Sequence, residues 1–86
     1  MDGVNPSCDI SALTPRQLEV IGIIAQGKSN KQTAHLLSIS VETVRAHVIH
    51  ACKKTGLDNR IRLIVAFAKW QERQEILALL NPSRLS

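Results

Sequence analysis

Basic side chains that can hold phosphate groups are concentrated in the middle of this chain. Residues 28–62 contain seven Lys and Arg side chains and only two acidic ones, although the formal net charge of all 86 residues is only +4. A local positive surface of this kind is the electrostatic footprint of a protein that binds a phosphate polymer. The basic residues are Lys28, Lys31, Arg45, Lys53, Lys54, Arg60 and Arg62.

Residues 41–55 place part of this charge on one face of a predicted helix. At roughly 100° per residue, the side around Arg45 is polar and the opposite side is apolar. Such a helix fits the major groove of double-stranded DNA, where Arg45 can hydrogen-bond a guanine and Ala46 and Ile49 can contact thymine methyl groups. The side chains predicted to face the bases are Glu42, Arg45, Ala46 and Ile49. An ordinary solvated amphipathic helix is the competing interpretation.

Other polar side chains flank this face or lie near predicted helix N-termini. The first N–H groups of a helix attract anions, and hydroxyl, amide and basic side chains donate hydrogen bonds to phosphate oxygens. We therefore expect these side chains to contact the DNA backbone rather than the bases. The candidates are Thr14, Ser29, Asn30, Lys31, Thr43, His47, Lys54 and Arg60.

The boundaries of the helices that position these residues can be predicted from capping residues in the sequence. Thr14 and Gln17 form a capping-box pattern around Pro15, which predicts that a first helix begins at Pro15. Its apolar residues recur at helical spacing. Gly27 is suited to end this helix in the left-handed conformation.

The same kinds of signal delimit a second and a third helix. Ser29 and Gln32 repeat the capping-box pattern and predict a second helix that runs to about residue 37. A turn at residues 38–40 follows, in which Ile39 can enter the core and Ser40 can cap the third helix. Gly56 is predicted to stop the third helix near residue 55.

A fourth helix follows, capped by Asp58 or Asn59, and it can run as far as Leu80 before Asn81-Pro82 ends it. No segment shows the sustained two-residue alternation, with β-branched and aromatic residues, that is typical of strands. The sequence therefore predicts an all-α domain of four helices with a helix-turn-helix at its centre.

Many spaced positions in residues 13–66 resemble the LuxR-type, or GerE-like, helix-turn-helix family. Gln17 and Gln32 stand where the family usually has Glu, Thr33 stands where Ile is usual, and Thr55 where Leu is usual. Gln preserves both capping boxes. The matching residues are Leu13-Thr14-x-Arg16, Glu19-Val20, Ala25-x-Gly27-x-Ser29-Asn30-Lys31, Ala34-x-x-Leu37-x-Ile39-Ser40, Thr43-Val44-Arg45-x-His47, Lys54-x-Gly56-Leu57 and Asn59-Arg60.

The resemblance implies a four-helix domain without a wing, in which the third helix reads DNA and the fourth commonly dimerises. Its members are bacterial transcription regulators. We expect residues 1–12 to be a flexible arm or linker, residues 13–80 to form the domain, and residues 81–86 to be a tail. Many relatives carry an amino-terminal sensing domain, and the sequence fits either a free-standing regulator or the carboxy-terminal domain of a larger one.

The fourth helix is apolar over more of its surface than a single core requires. Leu63, Phe67 and Trp70 form one side, and the family pattern implies that this side packs inward. The other side is then left for a second subunit, and its residues are Ile61, Val65 and Ala68. A broad helix that covers a small core is the competing interpretation.

Other chemistries find little support in the sequence. His47, His50 and Cys52 lack a fourth metal ligand at a usual spacing, so we expect no metal. A disulfide between Cys8 and Cys52 is not expected, because no export signal is present. No arrangement of catalytic residues or of cofactor-binding glycines appears, so we expect neither an enzyme nor a cofactor. The apolar runs are too short to span a membrane.

The aromatic residues, Phe67 and Trp70, lie outside the basic segment. Their absence from it argues against single-stranded nucleic acid, which proteins bind by stacking bases on aromatic rings. The sequence thus predicts a cytoplasmic, nucleoid-associated regulator that binds double-stranded DNA as a homodimer. Two other interpretations remain: a small module that heterodimerises with a larger relative and inhibits it, and a sigma-factor-like protein that binds RNA polymerase.

Overall fold

The computed structural model describes residues 9–80, which form a short 3-10 helix and four α-helices. The 3-10 helix is Ile10–Ala12, and the α-helices are α1 (Pro15–Ala25), α2 (Asn30–Leu37), α3 (Val41–Thr55) and α4 (Arg60–Leu79). Residues 9–80 contain no strand. The prediction of an all-α fold with four helices is confirmed.

Both predicted capping boxes are present. The Thr14 hydroxyl oxygen accepts a hydrogen bond from the Gln17 backbone N–H at 3.1 Å, and the Gln17 side-chain oxygen accepts one from the Thr14 N–H at 3.0 Å. Ser29 and Gln32 make the same two bonds at the start of α2, at 3.0 and 2.8 Å. Gln therefore supplies the acceptor that Glu supplies in the family pattern.

The connections between helices use three residues with positive φ. Gly27, with a φ of 97°, follows α1, and Gly56, with a φ of 74°, caps α3. Ser38 caps α2 at a φ of 57°, which a residue with a Cβ adopts only at a cost. Ile39 is half-buried against the core, and the Ser40 hydroxyl oxygen accepts from the Thr43 N–H at 3.0 Å to begin α3. The predicted turn is thus confirmed.

The core lies where α1 crosses α3 and α4, and α2 packs against α3. Gly22 is at the α1–α4 crossing, where an added Cβ would lie 3.3 Å from the Phe67 ring. The small residue therefore lets the Phe67 ring lie directly against the α1 backbone. The buried apolar residues are Ile10, Leu13, Val20, Ile21, Ile24, Ala34, Val44, Val48, Ala51, Leu63 and Phe67.

Two threonines in this core are fully buried, and both hydroxyls have partners. Thr33 Oγ1 donates to the Ser29 carbonyl and Thr55 Oγ1 donates to the Ala51 carbonyl, each at 2.8 Å. In residues 9–80 no buried side-chain nitrogen or oxygen lacks a hydrogen bond. The hydrogen bonds therefore offset the cost of placing hydroxyls where the family usually buries alkyl groups.

The packed domain begins earlier than the sequence suggested. The predicted flexible arm extended to residue 12, but Ile10 is only 1% exposed and belongs to the core. Asp9 caps the 3-10 helix by accepting from the Ser11 N–H at 3.1 Å. A capping Asp followed by an apolar side chain ties these residues to α3 and α4. Residues 1–8 of the predicted arm, which include Cys8, and the tail at residues 81–86 lie outside the described residues.

Helix α4 extends well past the core. Its buried residues, Leu63 and Phe67, both lie in its N-terminal half. Beyond the half-buried Trp70, every residue up to Leu80 is exposed except the half-buried Ala78. The C-terminal half of α4 is therefore mostly uncovered, although Ile76, Leu77, Leu79 and the C-cap Leu80 are large aliphatic residues.

Candidate nucleic-acid interface

The outer face of α3 is formed by the side chains that helical geometry predicted to be outside. Glu42, Arg45 and Ile49 are exposed, and Ala46 is half-buried. The opposite face of α3 enters the core through its valines and Ala51. Helix α3 is therefore fixed on one side by packing and presents a mixed polar and apolar surface on the other. Whether this surface faces bases stays a prediction.

The cations around α3 are not neutralised by neighbouring carboxylates. The ion pairs in residues 9–80 are Arg16–Glu19 at 2.8 Å and Arg62–Asp58 at 3.3 Å. Within the same residues, no carboxylate lies within ion-pairing distance of the other exposed cations on α2 and α3. Their charge remains available to an anionic partner. These cations are Lys31 on α2, and Arg45, Lys53 and Lys54 on α3.

Two of the three hydroxyl candidates for phosphate contact already cap their helices. Thr14 and Ser29 accept from backbone N–H groups as caps, and Thr43 shares a 2.8 Å hydrogen bond with Ser40. A capping hydroxyl uses its oxygen as the acceptor, so its own hydrogen remains free to donate to a phosphate. Of the remaining candidates, Lys31 and Lys54 are exposed and His47 is half-buried.

Asn30 and Arg60 are brought together, which sequence reasoning missed. A guanidinium NH group of Arg60 donates to the side-chain oxygen of Asn30, 30 residues away in the sequence. Asn30 is the first residue of α2 and Arg60 the first of α4. The bond therefore joins the N-termini of two helices. Both residues were predicted as separate phosphate ligands, and nothing in their local sequence indicates the pairing.

The two predicted sides of helix α4 differ in burial as its helical angles suggested. Leu63 and Phe67 are buried and Trp70 is half-buried, with the Phe67 and Trp70 rings 5.6 Å apart. On the other side Ile61 is 72% exposed and Val65 is 47% exposed, and Ala68 is also exposed. The predicted dimer residues are thus accessible, and their role stays a prediction.

Cys52 lies at the edge of the core near the C-terminal end of α3. Burial raises the pKa of its thiol above the ordinary value of 9.0, and the negative charge of Asp58 raises that pKa further. The thiol is therefore neutral at physiological pH. No group of three or more His, Cys, Asp or Glu side chains in residues 9–80 is arranged to hold a metal ion.

None of the helices in residues 9–80 has the length and apolarity needed to cross a membrane.

Residues 11–67 match the family model described as "Bacterial regulatory proteins, luxR family". Over 68 residues the chain is 38% identical to the nitrate/nitrite response regulator protein NarL of Escherichia coli strain K12, covering 79% of this chain and 30% of that protein.

Two further relatives are similar. The oxygen regulatory protein NreC of Staphylococcus aureus strain MRSA252 is 40% identical over 63 residues, which cover 73% of this chain and 29% of NreC. The nitrate/nitrite response regulator protein NarP of Escherichia coli strain K12 is 38% identical over 64 residues, which cover 74% of this chain and 30% of NarP. The chain thus spans less than a third of the length of these relatives. The four-helix fold and the family match agree, and the chain belongs to the luxR family of bacterial regulatory proteins, as a helix-turn-helix domain of the DNA-binding, transcription-regulating kind.

Proposed function

We propose that this domain binds double-stranded DNA sequence-specifically as a homodimer, with α3 in the major groove of each half-site. The observation that carries the proposal is the outer face of α3. It combines the exposed Arg45 and Ile49 with neighbouring cations that have no carboxylate partner in residues 9–80. Such a face can hydrogen-bond a guanine and contact a thymine methyl in the same groove.

The base-facing set in this proposal is Glu42, Arg45, Ala46 and Ile49. Arg45 donates two hydrogen bonds to guanine O6 and N7, and Glu42 accepts from a cytosine amino group. Ala46 and Ile49 read thymine by contact with its methyl group. The opposite face of α3 is packed in the core, so insertion of this face into the groove requires no refolding of the domain.

Phosphate contacts fix the orientation of α3 in this proposal. The N-termini of α1, α2 and α3 carry the hydroxyls of Thr14, Ser29 and Thr43 together with unpaired backbone N–H groups, which attract anions. Lys31 on α2 and Lys54 on α3 add exposed positive charge. By helical angle, His47 lies on the same flank of α3 as Lys54. Such contacts supply affinity and register without reading sequence.

The homodimer follows from the exposed side of α4. Ile61, Val65 and Ala68 form an uncovered apolar surface that two copies related by a two-fold axis can bury against each other. The two α3 helices then lie about one DNA turn apart, roughly 34 Å, so that each contacts one half-site. The site of action in this proposal is the bacterial nucleoid in the cytoplasm.

The test compares Arg45→Ala with Lys54→Ala on the duplex that the protein enriches from a randomised DNA pool. We expect Arg45→Ala to lose about 1–3 kcal/mol of binding free energy on that duplex and much less on random DNA. Lys54→Ala should weaken binding to the enriched duplex and to random DNA about equally. It should also reduce the salt slope, the dependence of the logarithm of the binding constant on the logarithm of the salt concentration, by roughly one.

Arg16→Ala, which removes a cation on α1 that is already paired with Glu19, is the matched control and should change the slope less than Lys54→Ala does. Retained sequence preference in Arg45→Ala would show that α3 does not read bases through this face. Absence of salt-dependent binding to any duplex would overturn the DNA-binding proposal.

A further inference from the structure

Helix α4 exposes one apolar stripe along its whole length. At roughly 100° per residue, the stripe residues fall within about 80° of each other around the helix axis. Only Glu72 interrupts them, near the middle of the helix. Exposed apolar surface of this extent marks an interaction site. The stripe consists of Ile61, Val65, Ala68, Ile76 and Leu79, all exposed.

A groove lies beside the N-terminal half of this stripe. Its walls are formed by Ile10 of the 3-10 helix, by Leu57 of the α3–α4 connection, and by Ile61, Val65 and Trp70 of α4. Ala66 completes the apolar lining, and the charged lining residues are Asp9, Arg62, Lys69 and Arg73. Six of the ten lining residues are therefore apolar, and the cations nearest the middle of α4 are Lys69 and Arg73.

The C-terminal half of α4 carries matching chemistry. Ile76 is 49% exposed and Leu80 is 73% exposed, and both lie on the side of the helix that carries Lys69. Residues 71–80 lie beyond the end of the family match at residue 67. They therefore supply apolar side chains that the domain itself leaves uncovered, one turn beyond the negative charge of Glu72.

We infer that residues 71–80 of a second copy of this chain occupy the groove, so that the two α4 helices pair antiparallel and residues 71–80 of each copy cover the groove of the other. This inference rests on the homodimer proposed above and adds its register. With Lys69 opposite Glu72 of the second copy, Val65 lies opposite Ile76 and Ile61 lies opposite Leu80. The two-fold axis repeats each of these contacts.

Charge selects this arrangement over a parallel one. In a parallel two-fold pair, Glu72 faces its own copy inside an apolar seam, and two like charges brought together there are strongly unfavourable. In the antiparallel register, each Glu72 meets a Lys69 instead. The same register places aliphatic side chains opposite each other on both sides of the two ion pairs.

Disulfide cross-linking tests the register directly. Val65→Cys and Ile76→Cys are placed on separate chains that also carry Cys8→Ser and Cys52→Ala, and the mixture is oxidised. A disulfide needs Cα atoms closer than about 7 Å. We expect cross-links between residues 65 and 76, because two copies of residue 65 lie roughly 16 Å apart along the helix axis in this register. Predominant 65–65 cross-links would overturn the antiparallel register.

Charge substitutions test the role of residues 71–80. Ile76→Glu should weaken the dimer at least about tenfold by sedimentation. Leu77→Glu is the matched control, because Leu77 is equally exposed at 48% but lies about 100° around the helix. It should change the dimer constant less than about twofold. Equal losses in the two variants would overturn the register, and circular dichroism checks that both remain folded.

A charge swap tests the proposed ion pair between Lys69 of one copy and Glu72 of the other. Lys69→Glu and Glu72→Lys should each weaken the dimer, and the variant that carries both substitutions should restore it. A double variant as weak as the singles would overturn the pairing. A wild-type chain that is monomeric at every concentration would overturn the homodimer and this inference together. A dimer that tolerates Ile76→Glu and cross-links 65 to 65 would overturn only this inference.

Discussion

The Asn30–Arg60 hydrogen bond changes what each of these residues does. Arg60 is half-buried, and one of its guanidinium NH groups donates to the Asn30 side chain. The bond ties the first turn of α2 to the first turn of α4. Arg60 thereby positions the helix-turn-helix relative to α4, and its remaining N–H groups are held near the N-terminus of α2, where an anion is favoured.

We predict that Asn30 and Arg60 are energetically coupled. In a double-mutant cycle of Asn30→Ala and Arg60→Ala, measured by urea unfolding, the coupling energy should be about 1 kcal/mol. The Arg16–Glu19 pair is the matched control, because both side chains are exposed and lie in one helix. Its coupling should be only a few tenths of a kcal/mol. Additive effects of the Asn30 and Arg60 substitutions would show that the bond does not join the two helices.

Cys52 makes folding stability sensitive to alkaline pH. Its thiol pKa is higher in the folded state than the ordinary 9.0, because the site is partly buried and faces Asp58. The unfolded chain therefore releases the thiol proton first as the pH rises. The stabilising contribution is full below pH 9.0 and is lost as the pH rises through the folded-state pKa.

The measurement is the unfolding free energy of wild type and Cys52→Ala at neutral and alkaline pH. We expect the difference between the two proteins to shift against the wild type once the pH exceeds 9.0. A difference that stays constant with pH would mean that the thiol ionises equally easily in both states.

Residue exposure on the helices could largely be predicted from the sequence. The outward positions of Arg45, Ile49 and Val65 follow from helical angles and the apolar pattern alone. The partner of Arg60 could not be predicted, because it depends on how α2 and α4 meet across the fold. The roles of the exposed side chains depend on a ligand, and helical angles do not contain that information.

At the scale of elements, the turn between α2 and α3 combines a strained residue with a cap. Ser38 adopts a left-handed φ of 57°, and the following Ile39 N–H donates to the Ala34 carbonyl at 3.0 Å. Glycine adopts this conformation without the clash of a Cβ. The turn therefore gives up some stability at residue 38.

We predict that Ser38→Gly stabilises the domain by up to about 1 kcal/mol, as measured by thermal or urea unfolding. Ser38→Ala retains the Cβ and should give no gain. Two residues later, Ser40→Ala removes the α3 cap and should destabilise by about 1 kcal/mol. If Ser38→Gly is neutral or harmful, the Ser38 backbone is not strained in solution.

Helix boundaries were predictable because their signals are local. Caps such as Thr14 and Ser29 act on N–H groups within three residues, so the sequence alone identifies them. The 3-10 helix was missed for the opposite reason. Its three residues are too few for a periodic pattern, and the burial of Ile10 comes from α3 and α4, which are distant in the sequence.

At the scale of the whole molecule, the described residues form a flat body of about 40 × 38 × 19 Å. A small flat domain buries little apolar surface, so a second subunit would add much to its stability. The uncovered stripe of α4 provides the surface for that subunit in the proposed homodimer.

We predict that Val65→Glu separates dimerisation from folding. Val65 is 47% exposed, so a carboxylate there leaves the core intact but places charge within the proposed interface. Circular dichroism should show a folded chain, and sedimentation should show a monomer. In a DNA-binding measurement this monomer should bind a half-site only weakly. Gln71→Glu, on another side of α4, is the control and should remain dimeric. An unfolded Val65→Glu would place Val65 in the core, and an unchanged dimer would place the interface elsewhere.

The two capping boxes have a consequence for how this protein responds to acid. Where Glu closes a capping box, protonation of the carboxylate weakens the cap as the medium acidifies. Gln17 and Gln32 close the boxes with an amide oxygen that does not titrate. These two caps are therefore not lost by protonation as the medium acidifies. Gln32 also brings no negative charge to the N-terminus of α2, so it does not oppose the attraction of that terminus for an anion.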